Sequence, residues 1–294
     1  MISTLEQSAQ TGAKSRRIWV AAQCGMDAEA RGALEKLEVL ARGGGRVGVA
    51  GEFMPDSGVA ERLAALGVVE WVEEADFFRF RHLVIPYAGV APSDRKRWAE
   101  ADVPLADLSS PHVRRAQVAL GMLRMEGAQP LVIGRHDDPE TRTLAGTCAG
   151  ARVIEDTTDT ARLPFAPAFG AVCQTTLSPR RARWLLEQLR MRYRDARVTA
   201  LTTAAPAMAA REQALETLLE QVDGVVIVGR PGEASVEALA ETALRKGKPA
   251  QIAATVGALD PAGLRGIRRM GLSAGAFATE ADIRAIYRAL RDLA

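Results

Sequence analysis

This sequence has no long apolar runs, only three cysteines and no large excess of positive or negative charge. The chain has 294 residues, of which 48% are hydrophobic and 25% are charged. It contains no run of about 18 consecutive apolar residues, so we expect no membrane span. The 38 basic residues nearly balance the 36 acidic residues, which argues against nucleic acid or an anionic membrane as the main partner. This length and composition predict a folded protein with a large core.

The three cysteines are Cys24, Cys148 and Cys173, and no two of them have the CxxC spacing. An odd number of scattered cysteines does not indicate a disulfide framework, so we expect a reducing, cytoplasmic environment. Residues 1–16 are polar and lack the apolar region of a secretory signal, and we expect them to be disordered. The sequence does not distinguish a monomer from a homodimer.

Short β-branched runs alternate with longer stretches of helical period along the chain. This alternation predicts an α/β fold in which parallel strands are covered by helices. The predicted strands are residues 18–22, 47–50, 68–72, 83–86, 103–105, 130–133, 153–154, 170–173, 198–201, 225–228, 250–253 and 270–272. Helix N-caps are predicted at Ser110, Ser178 and Thr279, each before an apolar stripe.

Three of the predicted strands end in the same pattern of glycine, polar loop and helix. The glycines are Gly51, Gly134 and Gly229, and the strands that follow them recur at matching offsets. We therefore predict three pseudo-symmetric αβα units around a central cavity, each with a small, mainly parallel four-stranded sheet. The predicted domains are residues 17–108, 109–197 and 198–294. Ligands of open α/β sheets bind at the carboxyl ends of the strands, so the glycine loops are expected to converge on one site.

Several motifs resemble, in order and spacing, those of a known family. They are Ile85-Pro-Tyr-Ala-Gly-Val-Ala-Pro92, the stretch from Ile133 to Thr147, Cys173-Gln-Thr-Thr-Leu-Ser178 and Ser273-Ala-Gly-Ala276. They are similar to motifs of the hydroxymethylbutenyl diphosphate reductases, the IspH or LytB family, over nearly the whole chain. The resemblance implies three αβα domains in a cloverleaf around a central cavity, which agrees with the repeat pattern. It also implies reductive chemistry on a [4Fe-4S] cluster.

The cluster of that family is held by three cysteine thiolates. The resemblance places one ligand position near Cys24, the second on Ser110 and the third near Ala205. Serine is a poor replacement for a thiolate on iron, and alanine supplies no ligand. We therefore expect no iron–sulfur cluster in the family's position and no other cofactor, with Cys24 as the only candidate remnant of a ligand.

The family's substrate pocket is altered as well. The family's three histidines fall on Pro55, Ala88 and Asp138. Its Ser-Ser-Asn phosphate clamp falls on Glu233, Ala234 and Ser235, and its last serine falls on Phe277. Two positions match: Glu140 corresponds to the family's proton-donating glutamate and Thr175 to its pocket threonine. We expect Glu140 to act as an acid or base and Thr175 to act as a hydrogen-bonding group in the pocket.

Arg135 and Arg230 occupy equivalent positions in two repeats, each directly after the glycine at a strand end. Beside helix N-termini, two guanidinium groups aimed at the centre are candidate ligands for phosphate, diphosphate or carboxylate. The alternative is that each pairs with a nearby acid: Asp137 or Asp138 for Arg135, and Glu233 for Arg230.

We expect a divergent IspH-like protein, without the cluster, whose central cavity binds a small anionic or phosphorylated metabolite. Non-redox chemistry by Glu140 and Thr175 would transform this ligand, and Arg135, Arg230 and Ser235 would bind it.

Two other functions stay open. One is a catalytically inactive scaffold whose cavity is filled around Pro55, Ala88 and Phe277. The other is a reductase whose metal site has moved. The candidate ligand sets are Cys24, Cys148 and Cys173 for a cluster, and Cys24, His112 and His136 for a single metal ion.

Overall fold

The computed structural model describes residues 17–100 and 103–293, in which strands alternate with helices. The strands are β1 (Ile18–Val20), β2 (Val47–Val49), β3 (His82–Ile85), β4 (Leu105–Asp107), β5 (Gln129–Ile133), β6 (Arg152–Ile154), β7 (Ala168–Cys173), β8 (Arg197–Ala200), β9 (Gly224–Val228), β10 (Ala250–Ala253) and β11 (Met270–Ala274). The helices are α1 (Ala28–Arg42), α2 (Ser57–Ala65), α3 (Pro92–Ala99), α4 (Pro111–Met125), α5 (Pro139–Ala145), α6 (Thr157–Arg162), α7 (Pro179–Arg192), α8 (Pro206–Leu219), α9 (Ala234–Arg245) and α10 (Glu280–Asp292). The predicted disorder of residues 1–16 lies outside the described residues.

The strands form three small parallel sheets, which confirms the predicted α/β class. Their strand orders are β2-β3-β4, β6-β5-β7-β8 and β10-β9-β11-β1. The strands that carry the glycine loops, β2, β5 and β9, pair with β3, β7 and β11, respectively. The sheets thus share one connectivity, as the repeat pattern predicted.

The first strand of the chain belongs to the last sheet. Ile18 pairs with Met270 and Val20 with Leu272, so β1 takes the edge position that β4 and β8 hold in the other sheets. The prediction that residues 18–22 belong to the first domain was therefore wrong, because this strand pairs in the sheet of the last one. The predicted boundary at 197 also differs, because β8 lies wholly in the sheet of β7.

The sheet of β2 has three strands and not the predicted four. In the segment 68–72, only Val69 forms an isolated parallel bridge, to Gly48. Trp71 then adopts a left-handed conformation, with φ of 59°, and the N–H groups of Trp71 and Val72 bond to the Gly51 and Val49 carbonyls without forming a regular ladder.

The chain divides into two compact units. One runs up to Asp27, includes Pro55–Val59 and resumes at Pro206; the other comprises Ala28–Met54 and Ala60–Ala205. The first contains the sheet of β9 and the second contains the other two sheets.

Both four-stranded sheets are covered by helices on both faces. In β9, Val225 and Ile227 pack with α8 and α9, whereas Val226 and Val228 pack with α10. In the sheet of β7, one face packs against α4 and α5 and the other against α7. Burial on both faces accounts for the continuous apolar runs in these strands. Among the described residues, no helix is both long enough and apolar enough to cross a membrane.

The helix starts follow the predicted capping residues. The hydroxyl of Ser110 accepts the N–H of His112, that of Ser178 accepts the N–H of Arg181, and Thr279 forms a capping box with Asp282. Each cap satisfies an N–H group that the first helical turn leaves unpaired.

Replacing Thr279 by alanine tests the cap of α10. Loss of the hydroxyl leaves the Asp282 N–H without its acceptor, at 3.2 Å in the structure, and is expected to lower the free energy of unfolding by about 1 kcal/mol. The measurement is urea unfolding. Thr217→Ala on the exposed face of α8 is the control, since its hydroxyl only returns to the Gln213 carbonyl, and an equal loss in both variants would contradict a specific capping role.

Candidate functional site

The loop from β5 to α5 positions two carboxyl groups, Asp138 and Glu140. Asp138 is the N-cap of α5, and its Oδ1 accepts the N–H groups of Glu140 at 2.8 Å and Thr141 at 3.4 Å. With Pro139 at the first helical position, the helix begins at the residue that the sequence favours. Glu140 therefore lies in the first turn of α5, and its side chain is buried.

Glu140 and Thr175, which the family resemblance relates to a proton-donating glutamate and a pocket threonine, are in direct contact. The backbone N–H of Thr175 donates to Glu140 Oε1, and the Thr175 hydroxyl donates to Glu140 Oε2 at 2.9 Å. Thr175 follows β7, and the Gln174 N–H bonds to the Ile133 carbonyl at 2.8 Å, which keeps the loops after β5 and β7 side by side. Adjacent parallel strands thus bring together residues that are distant in sequence.

Burial sets the protonation of this carboxyl pair. Desolvation, and then the charge of Asp138, raise the pKa of Glu140 from 4.5 to about 8, against the opposing hydrogen bonds from Thr175. Burial also raises the pKa of Asp138, although the N–H groups at its cap oppose the shift. Glu140 is consequently a neutral acid at neutral pH that can release a proton near pH 8.

A glutamine not singled out by the sequence analysis connects the two loops. Gln174 is fully buried, and its Nε2 donates to Asp138 Oδ2 and to Thr176 Oγ1, both at 2.8 Å. Its Oε1 accepts the Arg135 N–H at 3.1 Å and the Thr141 hydroxyl at 3.2 Å. The sequence feature that could have identified Gln174 is its place as a polar residue directly after a buried strand and next to Thr175.

Arg135 is paired with an acid, as the alternative to an anion site predicted. Its Nε and Nη2 each lie 3.2 Å from an oxygen of Asp137, and this pairing raises the pKa of Arg135. The Asp137 side chain is 71% exposed, whereas that of Arg135 is 28% exposed. The guanidinium is therefore held in the loop by a partner that is itself free to move into solvent.

In the other unit, Ser235 is fully buried and joins two loops. Its hydroxyl donates to Glu233 Oε2 at 2.6 Å and accepts the Ala276 N–H at 2.7 Å, and Glu233 caps α9 by accepting the Ser235 N–H. The Ser235 hydroxyl thus connects the loops after β9 and β11 by hydrogen bonds. Ligand binding by Ser235 stays a prediction.

Arg230 is half-buried, and its charge lowers the pKa of Asp56. Burial is the larger effect and raises the pKa of Asp56 to about 6, while the Val59 N–H, 3.0 Å away, stabilises the carboxylate. Asp282 adds a second negative charge nearby. The sequence analysis missed Asp56, which directly follows one of the altered pocket positions, Pro55.

A second buried charge that the sequence analysis missed is Arg211. Its Nε and Nη2 donate to the Gly25 carbonyl at 3.1 and 2.7 Å, and Nη2 lies 3.6 Å from Asp27. The sequence feature that could have identified it is the position of an arginine within the apolar stripe of α8, between Met208 and Leu215. The neighbouring Cys24 packs against apolar core clusters, and burial raises the pKa of its thiol to about 11.

Comparison with known proteins decides the family. The family model described as LytB protein matches residues 18–291. The chain belongs to the LytB family. Two similar relatives are named 4-hydroxy-3-methylbut-2-enyl diphosphate reductase: a Burkholderia mallei protein, 30% identical over 100% of this chain and 91% of its own length, and a Methylibium petroleiphilum protein, 30% identical over 82% and 74%.

Two solved structures of diphosphate reductases have the same fold. The E-1-hydroxy-2-methyl-but-2-enyl-4-diphosphate reductase of Plasmodium falciparum matches with a TM-score of 0.84 at 18% identity, covering 93% of this chain and 87% of that one. A structure of (E)-4-hydroxy-3-methyl-but-2-enyl diphosphate reductase matches with a TM-score of 0.66 at 21% identity, covering 94% and 99%. At these identities, the likeness supports the fold alone.

The positions that resemble the LytB cluster ligands carry other chemistry here. The Ser110 hydroxyl accepts the N–H of His112 at 3.2 Å, and Ala205 offers only a buried methyl group. Cys24 is the one thiol among the three positions. This donor set does not fit a cluster that needs three thiolates.

The remaining thiol and imidazole groups have ordinary surroundings. Burial raises the pKa of Cys173 to about 12 and also raises the pKa of Cys148. His112 Nε2 lies 3.1 Å from Glu29, and the ring of His136 lies 2.8 Å from Asp159. Within residues 17–100 and 103–293, no three His, Cys, Asp or Glu side chains group as possible metal ligands.

Proposed function

We propose that this LytB-family protein binds a small anionic or phosphorylated metabolite and transforms it by acid–base chemistry without a [4Fe-4S] cluster. The observation that carries the proposal is the buried Glu140, whose carboxyl is neutral at neutral pH and is bonded to Thr175. A general acid is most effective when its pKa lies near the working pH. Glu140 meets that condition.

The chemistry assigned to Glu140 is proton transfer to a leaving oxygen of the bound metabolite. As the carbon–oxygen bond breaks, a water molecule bonds to the same carbon and returns a proton to the Glu140 carboxylate. Thr175 holds both carboxyl oxygens and fixes their direction, because its N–H and hydroxyl bond to different oxygens. After the transfer, the same two groups stabilise the resulting carboxylate. The step needs neither an electron donor nor a metal.

Absence of the cluster is proposed from the donor chemistry of the chain. A [4Fe-4S] cluster with one open iron requires three soft thiolates, and the matching positions supply a thiol at Cys24, a hydroxyl at Ser110 and a methyl group at Ala205. The Ser110 hydroxyl is already bonded at the start of α4.

Arg135 is the proposed contact for the anionic group of the ligand, with Arg230 and Ser235 as further candidates. Its ion pair with the exposed Asp137 is of the kind that contributes only about 0–1 kcal/mol. A phosphate presents more acceptor oxygens than Asp137 and can replace it at the guanidinium. The names of the relatives favour an allylic diphosphate as the first compound to test.

Those names also favour a second candidate function, cluster-dependent reduction of the same diphosphate. Iron and acid-labile sulfide, measured on protein purified anaerobically from iron-replete cells, separate the two. We expect a colourless, folded protein without stoichiometric iron. About four irons per chain, with a brown absorbance, would overturn the proposal and place a cluster on this chain.

Replacing Glu140 by glutamine tests the acid role. With 4-hydroxy-3-methylbut-2-enyl diphosphate as the probe and no reductant, phosphorus NMR should detect turnover by the wild-type protein that falls about 100-fold or more in Glu140→Gln. Affinity measured by calorimetry should stay nearly constant, because the amide keeps the shape of the side chain. Glu187→Gln, on the exposed face of α7, is the control.

An unchanged rate in Glu140→Gln would remove Glu140 from the mechanism. Binding of neither this diphosphate nor inorganic diphosphate would contradict the anion site at Arg135. That result would favour the inactive scaffold.

A further inference from the structure

The orientation of the Gln174 amide is fixed by its neighbours. The backbone N–H of Arg135, 3.1 Å away, can only donate, so the atom that faces it must be the amide oxygen. The amide NH₂ group must then face Asp138 and Thr176, where its two N–H bonds are each 2.8 Å long. All four hydrogen bonds of the buried amide agree with this single orientation.

Asp138 is consequently surrounded by hydrogen-bond donors. Its Oδ1 accepts the N–H groups of Glu140 and Thr141, and its Oδ2 accepts an N–H of Gln174. A protonated carboxyl must give its O–H to an acceptor, and none of these three groups is one. A proton on Asp138 would therefore displace one of the bonds. The charged groups near Asp138 are Asp137 and Arg135, which form an ion pair with each other, and Glu140, whose pKa is raised by the charge of Asp138.

Glu140 can be protonated without losing a hydrogen bond, because its partner Thr175 can accept one. The Thr175 hydroxyl, 2.9 Å from Oε2, can donate to a carboxylate or, after rotation of its O–H, accept from a carboxylic acid. The Thr175 N–H stays bonded to Oε1 in both states. The charge that acts on Glu140 is that of Asp138.

We propose that Gln174 is a positioning residue that places the proton of the carboxyl pair on Glu140 and keeps Asp138 ionised. The Gln174 side chain donates an N–H to Asp138 and offers it no acceptor, which favours the ionised form of Asp138. Its use in catalysis rests on the proposed acid role of Glu140. The location of the proton is a property of the protein without ligand, so it can be measured separately.

Carbon NMR of protein labelled at the carboxyl carbons of Asp and Glu tests this inference. The two signals are assigned by their loss in Asp138→Asn and Glu140→Gln. In Gln174→Met, the N–H donor to Asp138 is gone, so the titration midpoint of Asp138 should rise by about one pH unit. The midpoint of Glu140 should fall by a similar amount, since Asp138 then carries less charge.

Gln174→Leu is the second variant and guards against failure of the first to fold. Its side chain is uncharged and has no donor for Asp138, so the Asp138 midpoint should rise again. A glutamate at this position is unsuitable, because it would share a proton with Asp138. Gln117→Met is the matched control, because that buried amide on α4 donates to the Val90 carbonyl at 2.9 Å and is not bonded to either acid.

Opposite shifts of the two midpoints in Gln174→Met, with none in Gln117→Met, support the proposal even if no ligand is turned over. Unchanged midpoints, or shifts of both in the same direction, overturn it and leave the acid role of Glu140 to its own test. In an active protein, the pH at which the rate is half-maximal should move with the Glu140 midpoint.

Discussion

Glu140→Gln is expected to be as stable as the wild-type protein below pH 4.5 and increasingly more stable than it as the pH rises to 8. The folded protein holds the Glu140 proton up to about pH 8, whereas the unfolded chain releases it near the ordinary value of 4.5. Between these values the folded state binds more protons than the unfolded state, so the free energy of unfolding falls as the pH rises. Each unit of pKa shift corresponds to about 1.4 kcal/mol, so the wild-type protein should lose several kcal/mol across this window.

Glutamine removes that loss because it is neutral at every pH and preserves both contacts. Its amide oxygen can accept the Thr175 N–H, and its NH₂ group can donate to the Thr175 hydroxyl. Urea unfolding followed by circular dichroism at pH 5, 7 and 9 measures the difference. The exposed Glu187→Gln should match the wild-type protein throughout. If Glu140→Gln and the wild-type protein show the same dependence on pH, Glu140 is ionised at neutral pH and the proposed acid is absent.

The second large effect is expected from Arg211. The side chain is 3% exposed, and methionine would remove its charge together with both hydrogen bonds to the Gly25 carbonyl. The carbonyl is then left without these donors, and Asp27 loses its cation at 3.6 Å. Removing one partner of a buried charged group costs about 3 to 5 kcal/mol, and we expect a loss near the lower end because Asp27 is partly exposed.

Arg211→Lys should recover part of this loss, since an ammonium keeps the charge but cannot reach the carbonyl with two donors. Arg269→Met in the same unit is the control: its pair with Asp223 is 2.7 Å long, exposed, and of the kind that contributes less than about 1 kcal/mol. Hydrogen exchange at Gly25 and Met26, whose N–H groups bond to Ala274 and Ala278, should accelerate in Arg211→Met. Equal losses in the Arg211 and Arg269 variants would contradict a special role for the buried arginine.

The sequence predicted those parts of the fold that local chemistry determines. Apolar runs located nearly all of the strands, and Ser110, Ser178 and Thr279 located three helix starts, because a capping hydroxyl acts within its own turn. The segment 68–72 failed as a strand. Its composition favours a strand, but the left-handed Trp71 prevents a regular ladder beyond one bridge, and no residue type there signals that conformation.

Long-range pairings could not be predicted in the same way. The sequence and the family resemblance named Glu140 and Thr175, yet their contact depends on β5 and β7 being neighbours in one sheet. Gln174 was missed because a glutamine after a strand is ordinary until its four partners are known. For Arg135 the sequence left both outcomes open, and only the geometry identified Asp137 as its partner.

The pairing of β1 with β11 also has a consequence for the order of events during synthesis. Ile18 leaves the ribosome long before Met270 exists, so β1 has no partner until almost the whole chain has been made. The unit formed by residues 28–54 and 60–205 has all of its strands available earlier and can fold first. A nascent chain whose first 205 residues have left the ribosome is therefore expected to protect the Glu140 region from proteolysis while β1 stays open to cleavage.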